Sequence, residues 1–492
     1  MKEILLIAAL MAMMVGVASA ELDTVWVNTY GGAAADGFRD AIPTSDGGFI
    51  AVGYTYSFGA GDVDVFAVKT DAGGDTLWAR TFGGPSPDYG HSVCEAGGGD
   101  YLIAGYTMSS GRGGEDVYLI KIDAAGDTLW TRTYGGPGLD EGRSVCLTGD
   151  GHILVAGQTQ SYGAGESDVY LLKIDAAGDT VWTRFFGGAG ADWAESVCEM
   201  ADGSYGISGT TGTITTTHQV YALKVDPSGS LAWDYGFGSI DMYRENYGMR
   251  GVALADSGMV AAGWRTDQDH FDPCAPTFLR LYSTGLTQSY RRYIYPFVEY
   301  WNSVCVTADD GFLMCGAAKS SANQRNDLFL VKRIQGLGWV WDQTIGGAGS
   351  DWGCSAIEAE PGYYIISGYT ESSGSGSYDG WLLFMREAEA SVPPAAAGRR
   401  GAIFLAAPNP NPFRPMAALR FSVPRAMQAE LAVYDITGRR VVVLVDGFVE
   451  PGEHAVTWYG RNEAGAEVSP GMYVARLVAG GSAVSRKLVR LK

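Results

Sequence analysis

The chain has 492 residues, of which 46% are apolar, 12% aromatic and 18% charged, with 70 glycines; this is a turn-rich all-β composition, too long for one small domain. A formal net charge of -20 argues against nucleic acid and anionic membrane surfaces as partners. Seven Cys, an odd and sparse set, do not make a disulfide framework.

Residues 1–20 read as a secretory signal peptide. Lys2 precedes the apolar run from Ile4 to Val17, and Ala18-Ser19-Ala20 offers small residues before Glu21. The run is short for a membrane span, and no later stretch is long enough for one. The expected location is therefore outside the cell or on its surface.

The next segment, Val25-Trp26-Val27-Asn28-Thr29-Tyr30, introduces a motif that recurs. Leu77-Trp78-Ala79-Arg80-Thr81-Phe82-Gly83-Gly84 returns as Leu129 to Gly136 and Val181 to Gly188. With Trp at 26, 78, 130, 182, 233 and 341 and Tyr290 in the gap, residues 21–386 form seven units of about fifty residues, a propeller-blade period. The second unit predicts strands over His91–Glu95, Tyr101–Tyr106, Val117–Ile122 and Thr128–Tyr134, with a Gly turn at Asp123 to Asp127. The chain enters on a fourth-strand motif and leaves after a third strand, Trp381 to Met385. The expectation is a seven-bladed β-propeller closed by the N-terminal strand, with each fourth-strand Trp docked on the neighbouring blade. Cys94, Cys146, Cys198 and Cys305 recur after Ser-Val and read as small core residues. Cys274 and Cys315 are off this pattern, and a bond between them stays open.

Residues 387–401 are Ala/Pro-rich and read as a linker. Beyond it, alternating runs at Ala418–Val423, Ala429–Asp435, Arg440–Val445, His454–Tyr459, Met472–Val478 and Ser482–Leu491 predict a small immunoglobulin-like β-sandwich over 402–492. Residues 408–492 carry 11 Lys+Arg against 7 Asp+Glu, and the remainder 24 against 48, so a mildly basic tail follows an acidic body.

Two family resemblances follow from these residues. Trp78, Gly83-Gly84, Asp88, Asp46-Gly47-Gly48-Phe49 and Gly105-Tyr106-Thr107-Met108-Ser109 resemble the bacterial seven-bladed β-propeller repeat proteins over roughly 24–386. That likeness implies an extracellular propeller without a defined chemistry. Units four to six depart from the pattern, at Thr211 to His218 and Asp267 to Pro276. The turns Lys121 to Trp130 and Lys173 to Trp182 also look like the tryptophan-docking turns of quinoprotein propellers, without the cofactor apparatus. In the tail, Pro408 to Phe413, Val433 to Val441, Trp458 to Gly465 and Pro470-Gly471-Met472-Tyr473 resemble the type A C-terminal sorting domain of type IX secretion. They equally resemble the Ig-like domain of the flagellar hook-capping protein FlgD. The sorting resemblance implies contact with secretion machinery and export across the outer membrane.

No catalytic motif stands out: the five His are scattered, and no His-Glu-x-x-His pair or Gly-x-Ser-x-Gly elbow is present. The chain is expected to be no enzyme and to need no cofactor. Two acidic rings, Asp36, Asp88, Asp140, Asp192, Glu299, Asp351 and Asp64, Asp116, Asp168, Asp327, Asp379, either bind Ca²⁺ or accept backbone N–H bonds within their loops, and repetition favours the second. Aromatics after the first ring, Tyr89, Trp193, Tyr247, Tyr300 and Trp352, are candidate contacts for a glycan or protein ligand, or else blade-packing residues. The irregular sector adds Trp264, His270 and Phe271. Arg39, His91, Arg143 and Glu195, with Met249, Asn302 and Cys354 as equivalents, vary in charge and are placed near the central channel. The leading expectation is a binding or interaction module. A purely structural surface or adhesion component is the alternative, and a propeller-based carbohydrate-active enzyme ranks third.

Overall fold

The computed structural model describes residues 22–212, 218–237, 244–254, 256, 258–267, 277–281, 283–284, 287–292, 298–309, 311–319, 325–333, 339–387, 404–405, 417–423, 426–435, 439–449, 452–463, 466–479 and 482–491. The chain divides into two compact units, Met1–Ala390 and Ser391–Lys492.

The first unit is a β-propeller. Its described residues form seven four-stranded antiparallel sheets, one after another along the chain. In the second repeat the strands are Asp88–Gly97, Asp100–Thr107, Asp116–Ile122 and Thr128–Tyr134. The first strands pack on one another in succession, and the last of them, Asp351–Glu360, returns to the first, Asp36–Pro43. The sheet of the last repeat takes its fourth strand from Leu22–Tyr30, which pairs antiparallel with Asp379–Glu387 from Leu22↔Glu387 to Tyr30↔Gly380.

The core lies between the sheets. Ile50, Val52 and Val65 of the first repeat pack with Val93, Tyr101, Ile103 and Ile120 of the second. Free thiols of the Ser-Val-Cys positions sit in the same layers, Cys94, Cys146 and Cys305 among them. Burial pushes Cys94, Cys198 and Cys305 up to about 12, as suits small apolar residues. Cys315 is a buried free thiol, and Cys274 lies outside the described residues.

Polar pins join neighbouring repeats. The indole N–H of Trp26, Trp78 and Trp233 donates to the carbonyls of Ala72, Ala124 and Ser283 in the following repeat at 2.9, 2.9 and 3.0 Å. Within repeats, the buried ammonium groups of Lys69, Lys173, Lys224 and Lys332 reach Asp46, Asp150, Asp202 and Asp309 at 2.9, 2.6, 2.7 and 2.9 Å. A Lys withdrawn from water needs such a counter-charge, and this explains the pairing of an Asp turn with a third-strand Lys.

Every first strand contains a β-bulge. The unpaired residue is Arg39, His91, Arg143, Glu195, Asn302 or Cys354 in six repeats, while the strand Arg244–Ala253 carries two, Met249 and Arg250. Opposite each bulge stands a second-strand glycine. A Cβ on Gly53, Gly105, Gly157, Gly209, Gly316 or Gly368 would lie 1.7–2.0 Å from the carbonyl oxygen two residues before the bulged one. The Gly of the repeated Gly-Tyr-Thr motif is thus a close-approach glycine, required where the bulge drives backbone against backbone.

The second unit has two antiparallel sheets. One joins Phe404–Leu405, Ala417–Val423 and Gly452–Trp458, and the other orders Arg440–Val449, Met427–Asp435, Gly471–Ala479 and Ser482–Arg490. Leu419, Phe421 and Trp458 of the first share one core with Leu431, Val433, Leu477 and Leu488 of the second.

Gly105→Ala would place a methyl 1.8 Å from the Tyr89 carbonyl and is expected to cost about 2–3 kcal/mol. Gly447→Ala, which meets nothing within 4 Å, is expected to be neutral; urea unfolding of the two full-length variants checks the contrast.

Candidate functional site

The bulges converge on the propeller axis. Arg39, His91, Arg143, Glu195, Arg250, Asn302 and Cys354, one from each repeat, line a single cavity of about 370 Å³ together with Tyr106 and Glu141. A bulged residue is free of the strand ladder, so its side chain turns toward the axis whatever its identity. In the fifth repeat Met249 and Arg250 stand opposite Ala262, so Met249 holds the register position of Arg39 and Arg250 that of Asp40, and Arg250 reaches the cavity from there.

Two of the three guanidinium groups are neutralised by the protein. Arg143 pairs with Glu195 and holds Glu141 at 3.0 Å, and the Trp193 indole N–H donates to Glu195 at 2.9 Å. Arg250 reaches from the fifth repeat to Asp40 of the first at 2.6 Å and to Ser355 of the last at 2.8 Å. Asp40 is almost fully buried, and its position is Ser92, Ser144, Ser196, Ser303 and Ser355 in other repeats. Several of these residues tie the first strands together, with the amides of Val93, Val145 and Val197 donating to Asp40, Ser92 and Ser144 at 3.2–3.3 Å. Sequence reading passed over Asp40 and Arg250; an acid in a run of serines was the available signal.

Arg39 differs from both. It is exposed to the cavity, makes no ion pair among the described residues, lies over the Tyr54 ring at 5.7 Å and shares the cavity with the Cys354 thiol. His91 is held neutral: burial, then the charges of Arg39 and Arg143, push it down to about 3, and its Nε2 is buried without a hydrogen-bond partner. Beside the cavity, burial and a hydrogen bond donated by its protonated form to the neighbouring Glu141 push the Glu115 carboxyl up to about 7. Burial alone would raise Glu141 as well, but Arg143 beside it outweighs burial and keeps it low.

Of the sequence-predicted aromatics none lines the cavity itself, though Tyr89 and Trp193 touch residues that do. The Tyr89 ring stacks on Tyr106 with centroids 5.1 Å apart, and its hydroxyl meets that of Tyr56 from the preceding repeat at 2.6 Å. Trp193 packs near His218 and under Arg143. Tyr300 meets Trp352 across a repeat boundary at 5.6 Å, and Trp352 stacks on Tyr369. All four are half-buried, so they pack between repeats and still present ring surface at the rim. Tyr247 and Trp264 are register partners on adjacent strands; their side chains, and all of His270 and Phe271, lie outside the described residues.

The acidic rings accept backbone hydrogen bonds. Asp64 takes the amides of Ala60 and Gly61 at 2.9 and 3.1 Å, and Asp116 those of Arg112 and Gly113 at 2.8 and 3.1 Å. Asp36 and Asp88 take Gly32 and Gly84 at 2.7 and 2.8 Å plus the hydroxyls of Ser57 and Ser109. Among the described residues no group of three or more His, Cys, Asp or Glu is arranged to hold a metal ion.

The fold and site define a β-propeller whose axis is lined by one non-repeating residue from each repeat. No protein-family model matches the chain. The regulatory protein FlaEY of Caulobacter vibrioides is 29% identical over 186 residues, covering 33% of this chain and 19% of that protein, so the chain spans about a fifth of its length. Among solved structures, PorZ, described as an essential surface component of the type IX secretion system of Porphyromonas gingivalis, aligns at TM-score 0.33 and 10% identity over 91% of this chain and 69% of its own. The Pan2 WD40 domain of Neurospora crassa aligns at TM-score 0.45 and 10% identity over 75% of this chain and 96% of its own.

Arg250→Met is expected to leave Asp40 buried without its counter-charge and to cost about 3–5 kcal/mol. Adding Asp40→Ser, the residue most other repeats use there, should recover most of that loss. A double-mutant cycle by chemical denaturation measures the coupling.

Proposed function

We propose that this chain is a secreted or cell-surface binding module. It is a seven-bladed β-propeller, closed by its N-terminal strand, that takes an extracellular glycan or protein ligand at the axial cavity and its aromatic rim. The observation that carries this reading is a contrast within each repeat. Scaffold positions recur from repeat to repeat, whereas the seven axial positions hold three Arg, one His, one Glu, one Asn and one Cys. A purely architectural ring has no use for five kinds of polar or thiol side chain around one cavity, while a recognition site does.

The structural alternative draws support from the rim rings, which pack on one another across repeats. The enzyme reading draws support from Glu115 and Glu141, neighbouring carboxyls with opposite pKa shifts, of which Glu141 lines the cavity. Their direct hydrogen bond counts against glycoside hydrolysis, which needs carboxyl groups about 5–9.5 Å apart. Arg143 also occupies Glu141. We therefore favour binding without turnover, with no cofactor required; Ca²⁺ in the acidic rings would have to displace the backbone amides that already fill one oxygen of each carboxylate described above.

The second unit is proposed to be an immunoglobulin-like sorting domain that engages secretion machinery. Its two sheets and the residue motifs named above support this reading.

The binding reading is tested by probing arrays of glycans and extracellular proteins with the full-length chain and with Trp193→Ala. Wild type is expected to bind at least one feature, with a loss of about tenfold or more in the variant. Binding that ignores Trp193 would move the site elsewhere, and a blank array would favour the structural alternative. Export is tested in a host with type IX secretion: full-length protein is expected outside the cell, and a chain truncated at Gly401 in the periplasm. Equal distribution of the two would refute the sorting role.

A further inference from the structure

The axial cavity contains one positive charge that the protein leaves unanswered. Of its three guanidinium groups, Arg143 is held between Glu141 and Glu195, and Arg250 is held by Asp40. Arg39 has no carboxylate partner; it lies over a ring face and shares the cavity with a thiol. A guanidinium offers five N–H donors in a planar fork that fits a carboxylate with two parallel hydrogen bonds. Here Arg39 lines the cavity and is exposed to it. The arrangement is costly in a narrow, partly desolvated space unless water or a ligand supplies the counter-charge.

The surroundings of Arg39 narrow the ligand further. His91, from the next repeat, lines the same cavity and is neutral there, so it adds no competing charge. Tyr54 lies beneath Arg39, and Tyr106, stacked on Tyr89, lines the wall next to His91. Flat aromatic walls suit the C–H face of a sugar ring better than a flexible aliphatic chain. At about 370 Å³ the cavity is at the small end of ligand sites, room for one compact residue rather than a polymer segment.

We propose that the axial cavity binds the acidic terminal sugar of an extracellular saccharide. The carboxylate sits on Arg39, which Tyr54 supports from beneath, and the ring lies against Tyr106. This deepens the binding-module reading and rests on it. The body of the protein is strongly acidic, so an anionic ligand approaches against the general field and is captured only at the axis. That makes the site selective for a ligand presenting its carboxylate at an exposed chain end.

The test uses the full-length protein on an array of saccharides ending in uronic or sialic acids. Each is printed beside its carboxyl-reduced neutral counterpart, and acidic peptides are included. At least one acid is expected to bind better than its neutral partner, with affinity falling as salt is raised. Arg39→Gln should erase that preference, weakening the acid by about tenfold or more, while Arg39→Lys retains part of it. Circular dichroism and thermal unfolding of Arg39→Gln should match wild type, since no ion pair is lost. An acid preference that survives Arg39→Gln, the absence of any acid preference, or stronger binding to acidic peptides than to saccharides would each overturn the inference. A neutral ligand that responds to Trp193→Ala but not to Arg39→Gln would sink the inference and leave the binding module standing. Failure of every ligand to respond to either substitution would remove both.

Discussion

A strand that turns one residue toward the propeller axis must give up pairing that residue with its neighbour, and everything particular to this molecule follows from that constraint. The bulge in each first strand drives a carbonyl so close to the second strand that only glycine fits opposite it. The glycine is the fixed half of the device and the bulged residue the free half. Because the bulged side chain stands outside the ladder, it can be cationic, acidic, amide or thiol without disturbing a sheet hydrogen bond. The scaffold therefore keeps strict repetition in its Gly, Trp, Lys and Asp positions, while the axis carries a different side chain at nearly every step.

Much of the architecture was legible in the sequence because its devices are local and repeated. The period, the four strands per repeat and the Trp docking all show in residues close together in the chain. The strands of the second unit also fall close to their expected positions, as Ala417–Val423 and Gly471–Ala479 illustrate. The acidic rings illustrate a sound choice between two readings, since Asp64 and Asp88 bind the amides of their own loops. The axial site was legible only in outline. Its membership depends on register, and the fifth repeat adds Arg250 from the position that Asp40 or a serine holds in the other repeats. The Arg250–Asp40 contact joins residues 210 positions apart, a juxtaposition that no local pattern can reveal.

The electrostatics of the cavity also reverse the impression given by bulk composition. A chain with a net charge of -20 concentrates three guanidinium groups around its axis and spends carboxylates on two of them. Net charge describes how the whole molecule repels or attracts at long range, whereas recognition is decided by which individual charge lacks a partner at short range. The aromatic rim has a similar double character. Tyr89 locks adjacent repeats through Tyr56 and at the same time backs Tyr106, which lines the cavity, so the rigidity of the ring and the shape of the cavity wall are linked through one side chain.

The pairing of Leu22–Tyr30 with Asp379–Glu387 also shapes how the chain reaches its native state. The first strand to be synthesised belongs to the last sheet to be completed. Its edge therefore stays unpaired until almost the whole propeller has emerged. The entropic cost of closing so long a loop grows only with the logarithm of its length, so the finished ring suffers little in stability. The cost falls on the rate, because non-local pairing is slow and an unpaired strand is a standing invitation to the wrong partner.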